Sequence, residues 1–177
     1  MTLELATRLF LDHLSVERGA SPRTVDAYRR DLALWQEFLA RREIPVCAHI
    51  GLTPQSVHKI GGFRVQGREE DAAAHMIHEA KALADAGADI VLLECVPTSL
   101  GAAITEAVPV PVIGIGAGPE VDGQILVLYD ILDITPGRKP RFSRNFMAGA
   151  ESPLAAVSDY VAAVKDGSYP APEHCFS

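Results

Sequence analysis

Residues 89–116 read DIVLLECVPTSLGAAITEAVPVPVIGIG, and the order of patterns within them decides the fold. DIVLLE (89–94) is a short apolar run that ends on a carboxylate. TSLGAAITEAV (98–108) is helical. VPVIGIG (110–116) is a second apolar run, ending in glycines. Apolar strand, helix, apolar strand is a βαβ unit. It implies a parallel sheet whose faces are covered by helices, which is why both strands are apolar throughout rather than alternating.

The same pattern extends in both directions. Upstream, EEDAAAHMIHEAKALADAGA (69–88) is a helix closed by Gly87, and IPVCAHI (44–50) reads as a buried strand before it. Downstream, DGQILVLYDIL (122–132) is a continuous apolar run, either a fourth strand or a buried helix; periodicity does not separate the two. ESPLAAVSDYVAAVKDG (151–167) is a final helix with Ser152-Pro153 at its start and Gly167 at its end. The tail SYPAPEHCFS (168–177) is turn-rich and is expected to be loose. A closed (β/α)8 barrel takes roughly 250 residues. The expected fold class is therefore α/β: an incomplete (β/α) barrel, about half of a TIM barrel with parallel strands. An open parallel sheet of another type fits the same pattern.

Residues 1–43 differ in character. Leu3, Ala6, Leu9, Phe10, His13, Leu14 and Val16 follow helical spacing, and Gly19 is a helix stop. A second helix starts with Ser21 as N-cap and Pro22 as its first residue. Val25, Tyr28, Leu32, Trp35 and Leu39 give it one apolar stripe. This is an α-helical hairpin, too small to bury a core alone. Seven Arg and seven acidic residues make it neutral, while residues 44–177 hold nine basic against sixteen acidic residues and carry the whole net charge of −7. In ARREIPVCAHIGLTPQS (40–56) a basic helix end meets an apolar strand with no linker. Two domains are expected, 1–43 and 44–177.

The bulk numbers narrow the function. A net charge of −7 argues against nucleic-acid binding by overall charge. The three cysteines form no C-x-x-C, so neither a disulfide framework nor a thiolate metal site is expected, and a reducing cytoplasm fits best. No apolar run approaches membrane length.

Glu94 ends its strand at the face where βα barrels place catalysis. Flanked by Leu93, Cys95 and Val96, it is expected to be partly desolvated, which disfavours its ionised form and suits a general base. The competing role is a paired or helix-capping carboxylate. His49 sits near the end of the first strand, on the same expected face; a hydrogen-bonded core histidine is the plainer reading. Gly114, Gly116 and Gly118 end the third strand without the G-x-G-x-x-G spacing of a dinucleotide site, so a tight rim turn is preferred. His75 and His78 are i, i+3 on a helix, read as exposed rather than metal-binding. Asp122 is read as a cap or turn residue. Arg23, Arg29 and Arg30 could meet phosphates, but Asp26, Asp31 and Glu37 interleave with them, so a solvated helix face is favoured and DNA is not expected as a partner.

PVCAHIGLTPQSVHKIGGFRVQGR, ADIVLLECVP, PVIGIGAGPEVDGQILVLYDIL and RFSRNF together resemble the C-terminal half of the ketopantoate hydroxymethyltransferase family, from about residue 44 onward. The resemblance implies one-carbon transfer from 5,10-methylenetetrahydrofolate to the keto acid α-ketoisovalerate, with Mg2+ as cofactor and a homo-oligomeric, cytoplasmic assembly. It makes Glu94 the base and places His49 in the substrate pocket. It also puts the family's magnesium ligands on strands preceding IPVCAHI, so no metal ligand is expected among these residues and the chain alone is expected to be inactive. LATRLFLDHLSVERGASPRTVDAYRRDLALWQEFL resembles the start of the core-binding domain of Xer-type tyrosine recombinases. No H-x-x-R occurs, which excludes recombinase catalysis. By these resemblances the 40–56 stretch is a junction between unrelated sequences. The alternatives to an enzyme are a DNA-binding fragment and a non-functional chimeric fusion.

Overall fold

The computed structural model describes residues 7, 10–41, 44–57 and 62–177. Leu3, Ala6 and Leu9 of the expected first helix, and Arg42 and Glu43 at the junction, lie outside the described residues. Four parallel strands form one sheet in the order β1-β2-β3-β4: β1 (Cys47–Gly51), β2 (Ile90–Glu94), β3 (Val112–Ile115) and β4 (Gly123–Gln124). Helix α1 (Pro22–Arg41) precedes the sheet. Helices α2 (Glu70–Asp85) and α3 (Thr98–Ala107) make the β1–β2 and β2–β3 crossovers, and α4 (Leu128–Ile131) and α5 (Pro153–Asp166) follow β4. The sheet does not close, as an incomplete barrel requires.

The first βαβ units fold for the reasons the sequence suggests. Ile50, Val91, Leu93 and Val112 point to one side of the sheet and pack against Met76 and Ala80 of α2 and Leu100 and Ile104 of α3. Val91, Leu93, Ile104 and Val112 are fully buried. Each such side chain contributes about 1.5–3 kcal/mol by leaving water. Pro111 lacks an amide hydrogen, and the strand begins directly after it. Asp122 has a larger role than a turn: its Oδ2 accepts the Val112 N–H at 2.8 Å, holding β3 where it starts.

The apolar run 122–132 is both of its alternatives in succession. Gly123–Gln124 pairs with β3, and the chain then turns into α4. Ile131, Phe146, Ala156, Tyr160, Ala163 and Tyr169 form a second core under α5. Ser152 caps α5 through its hydroxyl, which accepts the Ala155 N–H at 3.2 Å, and Gly167 ends it in the left-handed conformation.

Two expectations need correction. The first strand is not buried along its length: Cys47 is exposed, Ala48 and His49 are half-buried, and Ile50, which packs toward α2, is buried. The tail is not loose. Tyr169 is buried and its hydroxyl donates to the Phe142 carbonyl at 2.5 Å. The Phe176 carbonyl accepts from the Thr98 N–H at 3.0 Å and lies 3.3 Å from the Thr98 hydroxyl, capping the start of α3.

In the N-terminal region, residues 10–12 are helical and run into a π-helical turn at His13–Glu17, and Gly19 takes a positive φ of 59°. Ser21 caps α1, its hydroxyl accepting the Thr24 N–H. Phe10 and Tyr28 meet edge to face. Within the stripe Val25 is buried, while Tyr28 is 45% and Trp35 51% exposed. Among the described residues no helix is long and apolar enough to cross a membrane.

Candidate active site

Side chains alternate along a strand. With Val91 and Leu93 turned toward the helices, Leu92 and Glu94 turn to the other face of the sheet. The parallel register sets His49 beside Leu92, Gly51 beside Glu94, and Glu94 beside Ile115. Glu94 and His49 therefore share the inner face of the half-barrel, at the C-terminal strand ends. His49 Nε2 lies 3.0 Å from Glu94 Oε2.

The two groups are not a conventional salt bridge. Burial raises the Glu94 carboxyl from 4.5 to about 7, and burial lowers His49 from its ordinary value. Both shifts disfavour a charged pair. His49 Nε2 is buried and, despite its closeness to the carboxylate, has no partner in hydrogen-bonding geometry. A buried polar atom left in this state is a place for a ligand's polar atom.

The backbone around Glu94 is clamped from three sides. Its carbonyl accepts the Leu52 N–H at 2.9 Å. The Cys95 N–H donates to the Ile115 carbonyl and the Cys95 carbonyl accepts from Gln66 N–H, both at 2.9 Å. Cys95 takes a positive φ of 50°, a conformation costly for a residue with a side chain, and turns the chain away from the strand directly after the carboxylate. Its thiol is buried, and burial together with the neighbouring Glu94 pushes it up to about 12, so it is not a nucleophile. Gly51 has φ 87°, and a Cβ there would fall 2.2 Å from the Glu94 carbonyl oxygen, so only glycine fits between the two strand ends. Leu52, Cys95, Ile115 and Phe142 form an apolar cluster at this rim, with Phe176 against it.

The remaining candidates are placed as follows. Gly116 and Gly118 make a rim turn packed against Phe142 and Thr98; an added Cβ would reach those side chains at 2.7 and 2.6 Å. The glycines are filled by protein. His75 and His78 are exposed on α2. Arg23, Arg29 and Arg30 are exposed on α1, far in sequence and element from Glu94; Arg29 pairs with Asp26, and Arg30 Nε donates to the Asp26 carbonyl at 3.3 Å. Sequence reasoning missed Cys95, Gln66 and Phe176. Nothing in their residue types announces a backbone conformation or a long-range carbonyl contact.

A magnesium site asks for oxygen ligands in octahedral array, usually including one or two carboxylates. Here one carboxylate sits against a ring nitrogen. Among the described residues no group of three or more His, Cys, Asp or Glu side chains could hold a metal ion. The donor set present does not fit Mg2+, and no chemical step is assigned to it.

Comparison with known proteins gives this geometry a family. The family model for ketopantoate hydroxymethyltransferase matches residues 26–172, beginning within α1. The chain is 61% identical over 138 residues to a 3-methyl-2-oxobutanoate hydroxymethyltransferase of Chromohalobacter salexigens, covering 78% of this chain and 52% of the relative. It is 62% identical over 138 residues to one of Alkalilimnicola ehrlichii, covering 78% and 50%. It is 56% identical over 146 residues to one of Ralstonia nicotianae, covering 82% and 53%. The chain spans about half the length of the curated relatives it matches. With the family model matching residues 26–172, more than half of its length, the chain belongs to the ketopantoate hydroxymethyltransferase family.

Proposed function

We propose that this chain is the base-bearing half of a ketopantoate hydroxymethyltransferase site and does not turn over alone. The observation that carries the reading is Glu94: a carboxyl at the end of β2, desolvated to a pKa of about 7, beside a buried ring nitrogen without a hydrogen bond. A base with that pKa is substantially ionised at neutral pH yet holds a proton well once it has taken one. The substrate is 3-methyl-2-oxobutanoate, the keto acid in the relatives' name. Glu94 takes the proton from the carbon next to its keto group, leaving an enolate. Water cleaves the two C–N bonds of the methylene group of 5,10-methylenetetrahydrofolate, its two protons going to the nitrogens of the departing tetrahydrofolate and its oxygen staying on the one-carbon unit as formaldehyde. The enolate carbon bonds to that carbon, and the resulting alkoxide takes back the proton held by Glu94 to become the hydroxymethyl group. The orphaned His49 Nε2 supports a role in holding a polar atom of the keto acid. The enolate's negative charge needs a preorganised electropositive group, and the described residues around Glu94 supply none. That gap supports the reading of an incomplete site. We take residues 1–43 as a separate unit without a part in the chemistry; the pairing of its arginines with Asp26 supports a solvated face rather than a DNA contact.

Two measurements test the reading. Ketopantoate formation with Mg2+, the keto acid and methylenetetrahydrofolate should stay at the blank rate; turnover that Glu94→Ala abolishes would contradict the inactivity. Titration of the keto acid should shift the His49 ring signals in the NMR spectrum, and no shift at millimolar keto acid would remove the assigned substrate.

A further inference from the structure

We propose that Phe176 is a positioning residue for Glu94: residues 171–177 form a strap that lays this ring over the strand ends and keeps water from the rim beside the carboxyl. The inference rests on the functional reading above only in calling Glu94 the base; the strap is argued from its contacts.

A short, continuous path joins the ring to the carboxylate's strand. Glu94 pairs with Ile115 across the β2–β3 register, and Gly116 follows Ile115. A Cβ on Gly116 would fall 2.7 Å from the Phe142 ring and 3.2 Å from the Phe176 ring, so both rings lie directly on that backbone. The two rings meet edge to face with centroids 6.4 Å apart. Leu52, Cys95 and Ile115, at or just past the ends of β1, β2 and β3, are buried with Phe142, and Phe176 packs against all of this. Neither ring belongs to the sheet. The strands supply the walls around Glu94, and later chain supplies their cover.

The strap is held down at three separate places. The Phe176 carbonyl accepts the Thr98 N–H at 3.0 Å, four residues beyond Glu94. Arg68 Nε, ahead of α2, donates to the Ser177 carbonyl at 3.2 Å. Arg141 Nε donates to the Glu173 carbonyl at 3.0 Å, and the same guanidinium lies 5.7 Å from the centre of the Phe176 ring. The strap's own turn, Pro172–His174, is closed by His174 Nδ1 accepting the Ala171 N–H at 3.0 Å. Phe176 itself stays half-buried. Its loss removes less core than the loss of a fully buried side chain, but it uncovers Cys95 and Ile115, the neighbours of Glu94 along and across the sheet.

Burial sets the Glu94 value, and neither Arg68 nor Arg141 contributes to it. The titratable groups beside Glu94 are His49 on β1, 3.0 Å away, and the Cys95 thiol on its own strand, which stays neutral at neutral pH; β3 presents only Ile115. Water admitted at the rim therefore moves the carboxyl back toward its ordinary range.

The experiment is carbon-13 NMR titration of the Glu94 carboxyl in the full chain and its variants. Phe176→Ala should bring the midpoint at least halfway from about 7 toward 4.5. Phe176→Leu, which restores apolar cover, should hold it near the parent value. Arg141→Gln loosens the strap and keeps the ring, so it should move the midpoint in the same direction by less, and it decides the matter if Phe176→Ala does not fold. Ser152→Ala, which weakens α5, should lower Tm and leave the midpoint in place. A parent midpoint near 4.5, an unmoved midpoint in Phe176→Ala or Arg141→Gln, a Phe176→Leu midpoint as low as that of Phe176→Ala, or an equal fall in Ser152→Ala would each overturn the proposal. The functional reading fails separately: a midpoint that follows Phe176 while the keto acid leaves the His49 ring signals unshifted contradicts the assigned substrate and leaves the strap standing.

Discussion

Helix α1 carries an apolar stripe and strand β2 is an apolar run, yet they end in opposite environments. Val91 and Leu93 of β2 are fully buried, while on α1 Leu34 is 65% exposed and Trp35, within the apolar stripe, is 51% exposed. The difference lies in what the chain does next. A βαβ crossover returns the chain across the sheet, so each strand brings its own cover: α2 and α3 arrive on β2 as a consequence of connectivity. A hairpin of two helices covers one side of each helix and leaves the rest for a third layer. An apolar pattern states a demand for burial, and topology decides whether the demand is met.

Substitutions of decreasing effect sharpen this contrast. Leu93→Ala should cost about 2–5 kcal/mol in urea unfolding, because it opens a cavity in a core that is packed from two helices. The titration of Glu94 gives the next largest effect. Its folded pKa is raised from 4.5 to about 7. The folded chain therefore holds this proton more tightly than the unfolded chain. Its contribution is fully present below pH 4.5 and is lost as pH rises through about 7, a change of at most roughly 3 kcal/mol. Glu94→Gln should abolish that loss, leaving the variant with a higher Tm than the parent at pH 8. His49 works in the other direction: its lowered pKa contributes stability above 6.5 that is lost as pH falls through the folded value. Ser152→Ala should cost about 1 kcal/mol by removing the cap of α5. Leu34→Ala on the exposed face of α1 should change stability by less than about 0.5 kcal/mol. A loss there as large as that of Leu93→Ala would show that α1 is covered in solution and would break the comparison.

Much of this was legible in the sequence. The strand-helix-strand order of 89–116 is specific because its apolar runs are short, a helical stretch separates them, and its glycines fall at the end of the second run. Ser21, Gly87, Ser152 and Gly167 marked helix ends correctly because capping is local chemistry. The partial desolvation of Glu94 was legible because a carboxylate closing an apolar strand is a chemical anomaly visible in six residues. The failures are non-local. The ambiguity of 122–132 was settled by pairing with β3 and by the core under α5. The tail was expected to be loose from its composition, yet the Phe176 carbonyl meets Thr98 across 78 residues of sequence. Nothing in the letters of Cys95 shows a positive φ. The exposure of β1 goes with its place at the edge of the sheet, which no residue within it announces.

The most direct test of the account is the titration of the Glu94 side-chain carboxyl by carbon-13 NMR, assigned by loss of the signal in Glu94→Gln. A base poised by burial on the inner face of this half-barrel should titrate with a midpoint near 7. A midpoint near 4.5 would show a hydrated carboxylate with no special basicity, and the assignment of Glu94 as the proton acceptor would be contradicted.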